Sequence, residues 1–180
     1  MLTTATRKEL LLSIHGIEMK FTTNSSELAN SVEAALHHFQ CDALADGPML
    51  MECDAVERRD DVPVWVSRSA KLLYSGSGLV TGPDRRTTWL CDIYWEYGLL
   101  IADFHEEGMV VIDGASQSTQ AYLVRPEAMT PDTHVSFVHF AMTELLKRRG
   151  LYTIHATALE YRGQGVLIPG FSGRGKTTSF

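Results

Sequence analysis

Residues 170–177 read GFSGRGKT, which sets Gly170, Gly175, Lys176 and Thr177 at the fixed positions of the pattern G-x-x-x-x-G-K-T. That spacing suits the chemistry of a bound polyphosphate. Phosphate oxygens need several N–H donors converging on them, and side chains would obstruct the approach. Gly170, Gly173 and Gly175 let the backbone curl with its amides inward, and a helix starting near Lys176 would aim its positive end at the anion. Lys176 supplies a mobile cation for the β and γ phosphates, and the Thr177 hydroxyl can ligate Mg²⁺. Ser172, Arg174 and Thr178 complete the residues expected to contact the nucleotide. The cofactors this implies are ATP and Mg²⁺.

A loop of this kind must be fed by a strand and followed by a helix. The apolar run VLIP at 166–169 reads as a buried-type strand and TTSF at 177–180 as a helix start. Ahead of them a strand over 152–161 and a turn over 162–165 are expected. Residues 125–132, RPEAMTPD, carry two prolines and read as the connection to this unit. Thr130 followed by Pro131 opens a helix, since proline at the first helical position loses no needed donor. Val135, Val138, Met142, Leu145 and Leu146 form its apolar stripe, Lys147, Arg148 and Arg149 suit its negative end, and Gly150 closes it.

Nearer the start, IHGIEMKF at 14–21 alternates as a half-buried strand does, and Asn24 three before Glu27 suggests a cap for a helix carrying Leu28, Val32, Ala35, Leu36 and Phe39. Residues 41–59 give no clear pattern. Strands are expected at 62–67, 87–95, 99–105 and 109–114, with a Glu106–Glu107–Gly108 turn between the last two. The expected organisation is an α+β N-terminal domain over 1–129, followed over 130–180 by the opening of an α/β P-loop domain.

The run IHATALEYRGQGVLIPGFSGRGKTT resembles the strand, turn, strand and P-loop that open the catalytic domain of HPr kinase/phosphorylase and its relatives. His155, Glu160, Gly163, Gly165, residues 166–168 and Ser172 fall in place without gaps, and the helix FVHFAMTELLKRRG is similar to the lead-in of HPr-kinase-related proteins. ATP-dependent phosphoenolpyruvate carboxykinase, of the same clan, has a similar loop. The resemblance covers residues 137–180. It implies a kinase that transfers the γ-phosphoryl of Mg-ATP to a hydroxyl of a protein or small-molecule acceptor. His155 would assist at the reacting centre, Lys176 would stabilise the transferred charge, and Glu160 would face solvent. The family's catalytic aspartate lies downstream of its P-loop, so the resemblance implies a chain truncated after the loop and inactive by itself. Phe171 departs from the small or acidic residue usual there, and residues 1–125 do not resemble the family's N-terminal domain. The alternative is a non-catalytic nucleotide sensor whose N-terminal domain binds a peptide or protein.

Composition narrows the partners. With 44% hydrophobic and 21% charged residues and a net charge of -6, the chain has the balance of an ordinary globular protein and no basic footprint for nucleic acid or an anionic membrane. The nucleotide and a protein or peptide acceptor are the expected partners, with self-association left open. MLTTATRKELLL shows no export signal, and no run approaches the ~20 apolar residues of a membrane helix. Cys41, Cys53 and Cys91, without a CxxC pair, read as reduced thiols of a cytoplasmic protein. SGSGLVTG at 75–82 lacks nucleotide-loop spacing and reads as a plain loop. Asp103, His105, Glu106 and Glu107 read as turn residues, His37 and His38 as surface, and Trp65, Trp89 and Trp95 as core or interface.

Overall fold

The computed structural model describes residues 7–45, 47–82, 88–154 and 156–169. The chain divides into two units, Met1–Gly150 and Leu151–Phe180. In the first unit, β1 (Lys8–Ile14) pairs with β2 (Ile17–Thr23), whose residues Ile17 to Phe21 alternate apolar and polar, and one face of the pair carries Leu12, Met19 and Phe21 into the core. They are joined at His15 and Gly16, whose φ angles of 50° and 80° make the two-residue turn that matches strand twist. The single strand expected over 14–21 is therefore a hairpin.

Helix α1 (Ser26–Leu36) is capped by Ser25, whose Oγ accepts from the Leu28 amide at 3.2 Å. Asn24, the expected cap, has another task. Its side chain accepts from the Ala55 amide at 2.7 Å and donates to the Ala55 carbonyl at 3.1 Å. It stands at the end of β2, which pairs in parallel with β3 (Met49–Val56), so its amide prolongs that ladder by one residue. Strand β3 lies within the stretch that gave no pattern, and buries Met49, Met51 and Cys53 on alternate positions.

A meander follows through β4 (Lys71–Thr81), β5 (Thr88–Glu96), β6 (Leu99–Asp103), β7 (Gly108–Asp113) and β8 (Ser118–Val124). These complete an eight-stranded sheet in the order β1-β2-β3-β8-β7-β6-β5-β4, in which β3 pairs in parallel with β8. Residues 75–82, expected as a loop, fall mostly in the edge strand β4. Gly76 stays in register with Cys91, Gly78 at φ +100° falls in a register shift between Ser77 and Thr81, and a second shift lies between Leu72 and Tyr74. The opposite edge is blocked, because Gln40 bridges to Leu12 and the Cys41 amide donates to the Leu11 carbonyl. In the β6–β7 turn the positive φ belongs to His105, at 56°, and not to Gly108. Gly108 is required for close approach, since a Cβ there would stand 2.4 Å from the Tyr122 carbonyl oxygen.

Helix α2 (Pro131–Leu146) opens as expected, with the Thr130 hydroxyl accepting from the Thr133 amide, and Gly150 ends the following turn at φ 78°. It is buried beyond the expected stripe, because Phe137, Phe140 and Ala141 also face inward. Phe137 and Phe140 meet Phe104 with ring centroids 5.6 and 5.3 Å apart, and Trp89 joins Phe104 and Phe137 at 6.0 Å. This aromatic cluster and the contact of α2 with α1 place the helix in the first unit. The boundary expected between residues 129 and 130 falls instead after Gly150.

The sheet's other face is partly covered by residues 57–70, which hold a short 3₁₀ turn at Arg59–Asp61 and then run on without joining the sheet. Val62, Val64 and Val66 pack there with Ile101, Met109, Val111, Tyr94 and Tyr122. The strand expected at 62–67 thus has strand-like alternation without a ladder. Among the described residues, 63–66 make no backbone hydrogen bond, and Pro63 has no amide proton to give.

Among its described residues the second unit holds a hairpin, β9 (Ala156–Tyr161) and β10 (Gln164–Pro169), turned at Arg162 and Gly163 with φ of 53° and 76°. Residues 152–154, included in the expected strand, have no regular structure.

Candidate functional site

The residues that carry the phosphate chemistry, Gly170, Ser172, Gly173, Arg174, Gly175, Lys176, Thr177 and Thr178, lie outside the described residues, as does His155. The hairpin that leads to them is described. Its register pairs Ala156 with Pro169, Ile168 with Thr157 and Gly165 with Glu160. Ala156 is bonded to His155 and Pro169 to Gly170, so the two chain segments that carry the expected site leave the hairpin at the same end. Glu160, at the far end of the ladder, is exposed as expected.

The VLIP strand is not buried within this unit. Val166 and Leu167 are 50% and 58% exposed, and among the described residues of the unit no second layer covers either face of the hairpin. At the turn, the Arg162 guanidinium lies 4.9 Å from the centroid of the Tyr161 ring.

The first unit gathers a polar cluster on the face covered by residues 57–70. Asp92 on β5 and Asp103 on β6 are direct register partners, a like-charge arrangement that requires compensation. Arg59 supplies it, donating to Asp103 at 3.1 Å, and His105 Nε2 stands 3.6 Å from Asp92. Burial, followed by the Asp92 and Asp103 charges, raises the Tyr94 hydroxyl above its ordinary pKa. The pairing was available in the sequence, since Asp92 and Asp103 are equidistant from the Tyr97–Gly98 turn. The isolated reading of Asp103 with His105, Glu106 and Glu107 passed over it. Among the described residues no group of three or more His, Cys, Asp or Glu side chains could hold a metal ion. Thr177, the expected Mg²⁺ ligand, lies outside them.

Among the other expected positions, His37 and His38 are exposed, Trp89 is buried, and Trp65 and Trp95 face solvent. The three cysteines are free, and burial keeps two of them protonated. Cys91 is pushed up to about 12 by burial and then by Asp92 and Asp103, while burial raises Cys53 further still. Among the described residues, no helix is long and apolar enough to cross a membrane. Compared with family models, with curated proteins and with solved structures, the chain finds no match in any of the three.

Proposed function

We propose that the protein binds Mg-ATP through residues 170–178 and belongs functionally with the HPr-kinase-like proteins that residues 137–180 resemble, passing the γ-phosphoryl group to a hydroxyl of a protein or small-molecule acceptor. The observation that carries this reading is the complete G-x-x-x-x-G-K-T spacing placed directly after strand β10. The donor set fits the group. Loop amides and the Lys176 ammonium match phosphate oxygens, and the Thr177 hydroxyl matches a hard divalent cation. His155, next in sequence to the β9 residue that pairs with Pro169, is suited by its chemistry to orient the acceptor or to relay its proton. Three free thiols, two of them deeply buried, agree with a reduced cytoplasmic setting.

Calorimetric titration with ATP and with pyrophosphate, each with Mg²⁺, tests the assignment. Lys176→Ala is expected to weaken both ligands by at least about tenfold, the loss appropriate to one charge-assisted contact with a phosphate. Equal affinity in parent and variant would remove the phosphate-binding assignment.

A further inference from the structure

Residues 57–70 present an outer surface that the first unit leaves uncovered. Val62, Val64 and Val66 point into the sheet, so Pro63 and Trp65 point away from it, and Trp65 is 79% exposed. A tryptophan held outward on a segment anchored from below is a costly feature for an isolated surface and the commonest anchor of an interface. Leu72, on the same face through its pairing with Tyr94, is exposed as well.

The charges flanking this ridge are sorted by sign. On the N-terminal side Arg58 is taken by Asp61 at 3.2 Å and Arg59 by Asp103 at 3.1 Å, leaving Glu57 and Asp60 exposed without an ion pair among the described residues. On the C-terminal side Arg68 and Lys71 are exposed and likewise make no ion pair among the described residues. The segment therefore reads acidic, apolar, basic. A surface of that order is complementary to itself when reversed. Asp60 and Arg68 are equidistant from Val64, as are Pro63 and Trp65.

We propose that residues 57–70 form a self-association surface on which a second copy of this chain packs antiparallel across a two-fold axis near Val64. Trp65 of each copy covers Pro63 of the other, and Asp60 of each copy faces Arg68 of the other. An isologous contact of this kind repeats each complementary pair twice, which also makes it sensitive to a single change of sign.

Sedimentation velocity across a concentration series of the 180-residue chain tests this. The parent is expected to form a reversible dimer that weakens as salt is raised. Asp60→Arg alone and Arg68→Asp alone each place two like-charge contacts in a homodimer and should raise the dissociation constant at least about tenfold. An equimolar mixture of those two variants should recover the parental dimer, because each mixed pair restores both opposite-charge contacts. Trp65→Ser should weaken association by at least about tenfold while leaving the melting temperature of the protein unchanged when measured dilute enough to be monomeric. A parent that stays monomeric throughout overturns the proposal. So does association unaffected by the charge variants, or a mixture that associates no better than either variant alone.

Discussion

Ser31 on α1 and His134 on α2 meet in the buried seam between the two helices, with Ser31 Oγ 2.9 Å from His134 Nδ1. The imidazole's other nitrogen, Nε2, lies 2.8 Å from the Pro126 carbonyl oxygen, an acceptor only. That contact puts a ring proton on Nε2, while the single Ser31 hydroxyl proton has both Nδ1 and the Glu27 carbonyl within 2.9 Å. One side chain that is 2% exposed thus ties α1, α2 and the turn between β8 and α2 together.

His134→Ala is expected to destabilise the first unit by about 2–4 kcal/mol, since it empties a buried site and strands the Pro126 carbonyl. Ser31→Ala should cost about 1 kcal/mol, and the double variant less than the sum, because the two groups share one hydrogen bond. Urea denaturation of the four proteins measures the coupling. Strict additivity would mean that the hydrogen bond contributes nothing.

Gly108→Ala should cost about 1–3 kcal/mol, because the new methyl would meet a backbone oxygen held in the β7–β8 ladder and not a side chain that can swing away. Gly165→Ala serves as the control. A Cβ there meets nothing within 4 Å, and its effect on the melting curve should stay within about 0.5 kcal/mol. Similar losses at both positions would contradict the close approach described for Gly108.

The buried thiols predict a pH dependence with a definite sign. The folded Cys91 thiol is raised from 9.0 to about 12, so between those values the folded state binds a proton that the unfolded state has lost. Its contribution to stability is fully present below pH 9.0 and declines as pH rises toward 12. Cys53 acts in the same direction. Removing both with Cys53→Ala and Cys91→Ala should flatten part of the alkaline decline seen in urea titrations. At neutral pH a thiol reagent should modify Cys41, which is partly exposed, well before the other two. Rapid modification of all three in the folded protein would contradict their burial.

His155→Ala is expected to leave the affinity for ATP and pyrophosphate within about twofold, in contrast to the loss at Lys176, because its proposed role is toward the acceptor and not in the phosphate cradle. The same calorimetric titrations decide this. A loss equal to that of Lys176→Ala would move His155 into the phosphate site.

The features legible in the sequence were those encoded in residue identity over a short span. The Thr130–Pro131 opening of α2 and its Gly150 end are chemical requirements of a helix terminus, and the His15–Gly16 turn could have been read on the same ground. Strand β3 was not legible, because MLMECDAV is poor in β-branched residues and its neighbours, β2 and β8, are distant in the chain. Residues 62–66 misled in the opposite sense, since alternation reports which side is covered and not whether the backbone has a partner. In β4 the glycines concealed a strand that bulges accommodate. The G-x-x-x-x-G-K-T spacing lies outside the described residues, while the hairpin register that sets Ala156 level with Pro169 became visible only from the strand pairing.

The parallel pairing of β3 with β8 has a consequence for how the first unit assembles. The strands from β4 to β8 can close one hairpin at a time, each over a short loop, and β1 with β2 can do the same. Setting Met51 beside Thr119 and Cys53 beside Ala121 instead closes a loop through the whole meander, at an entropic cost that grows by roughly 0.6 kcal/mol with each doubling of loop length. The slow step of folding is therefore assigned to that seam, where two locally formed halves must find each other before α2 can lie across both.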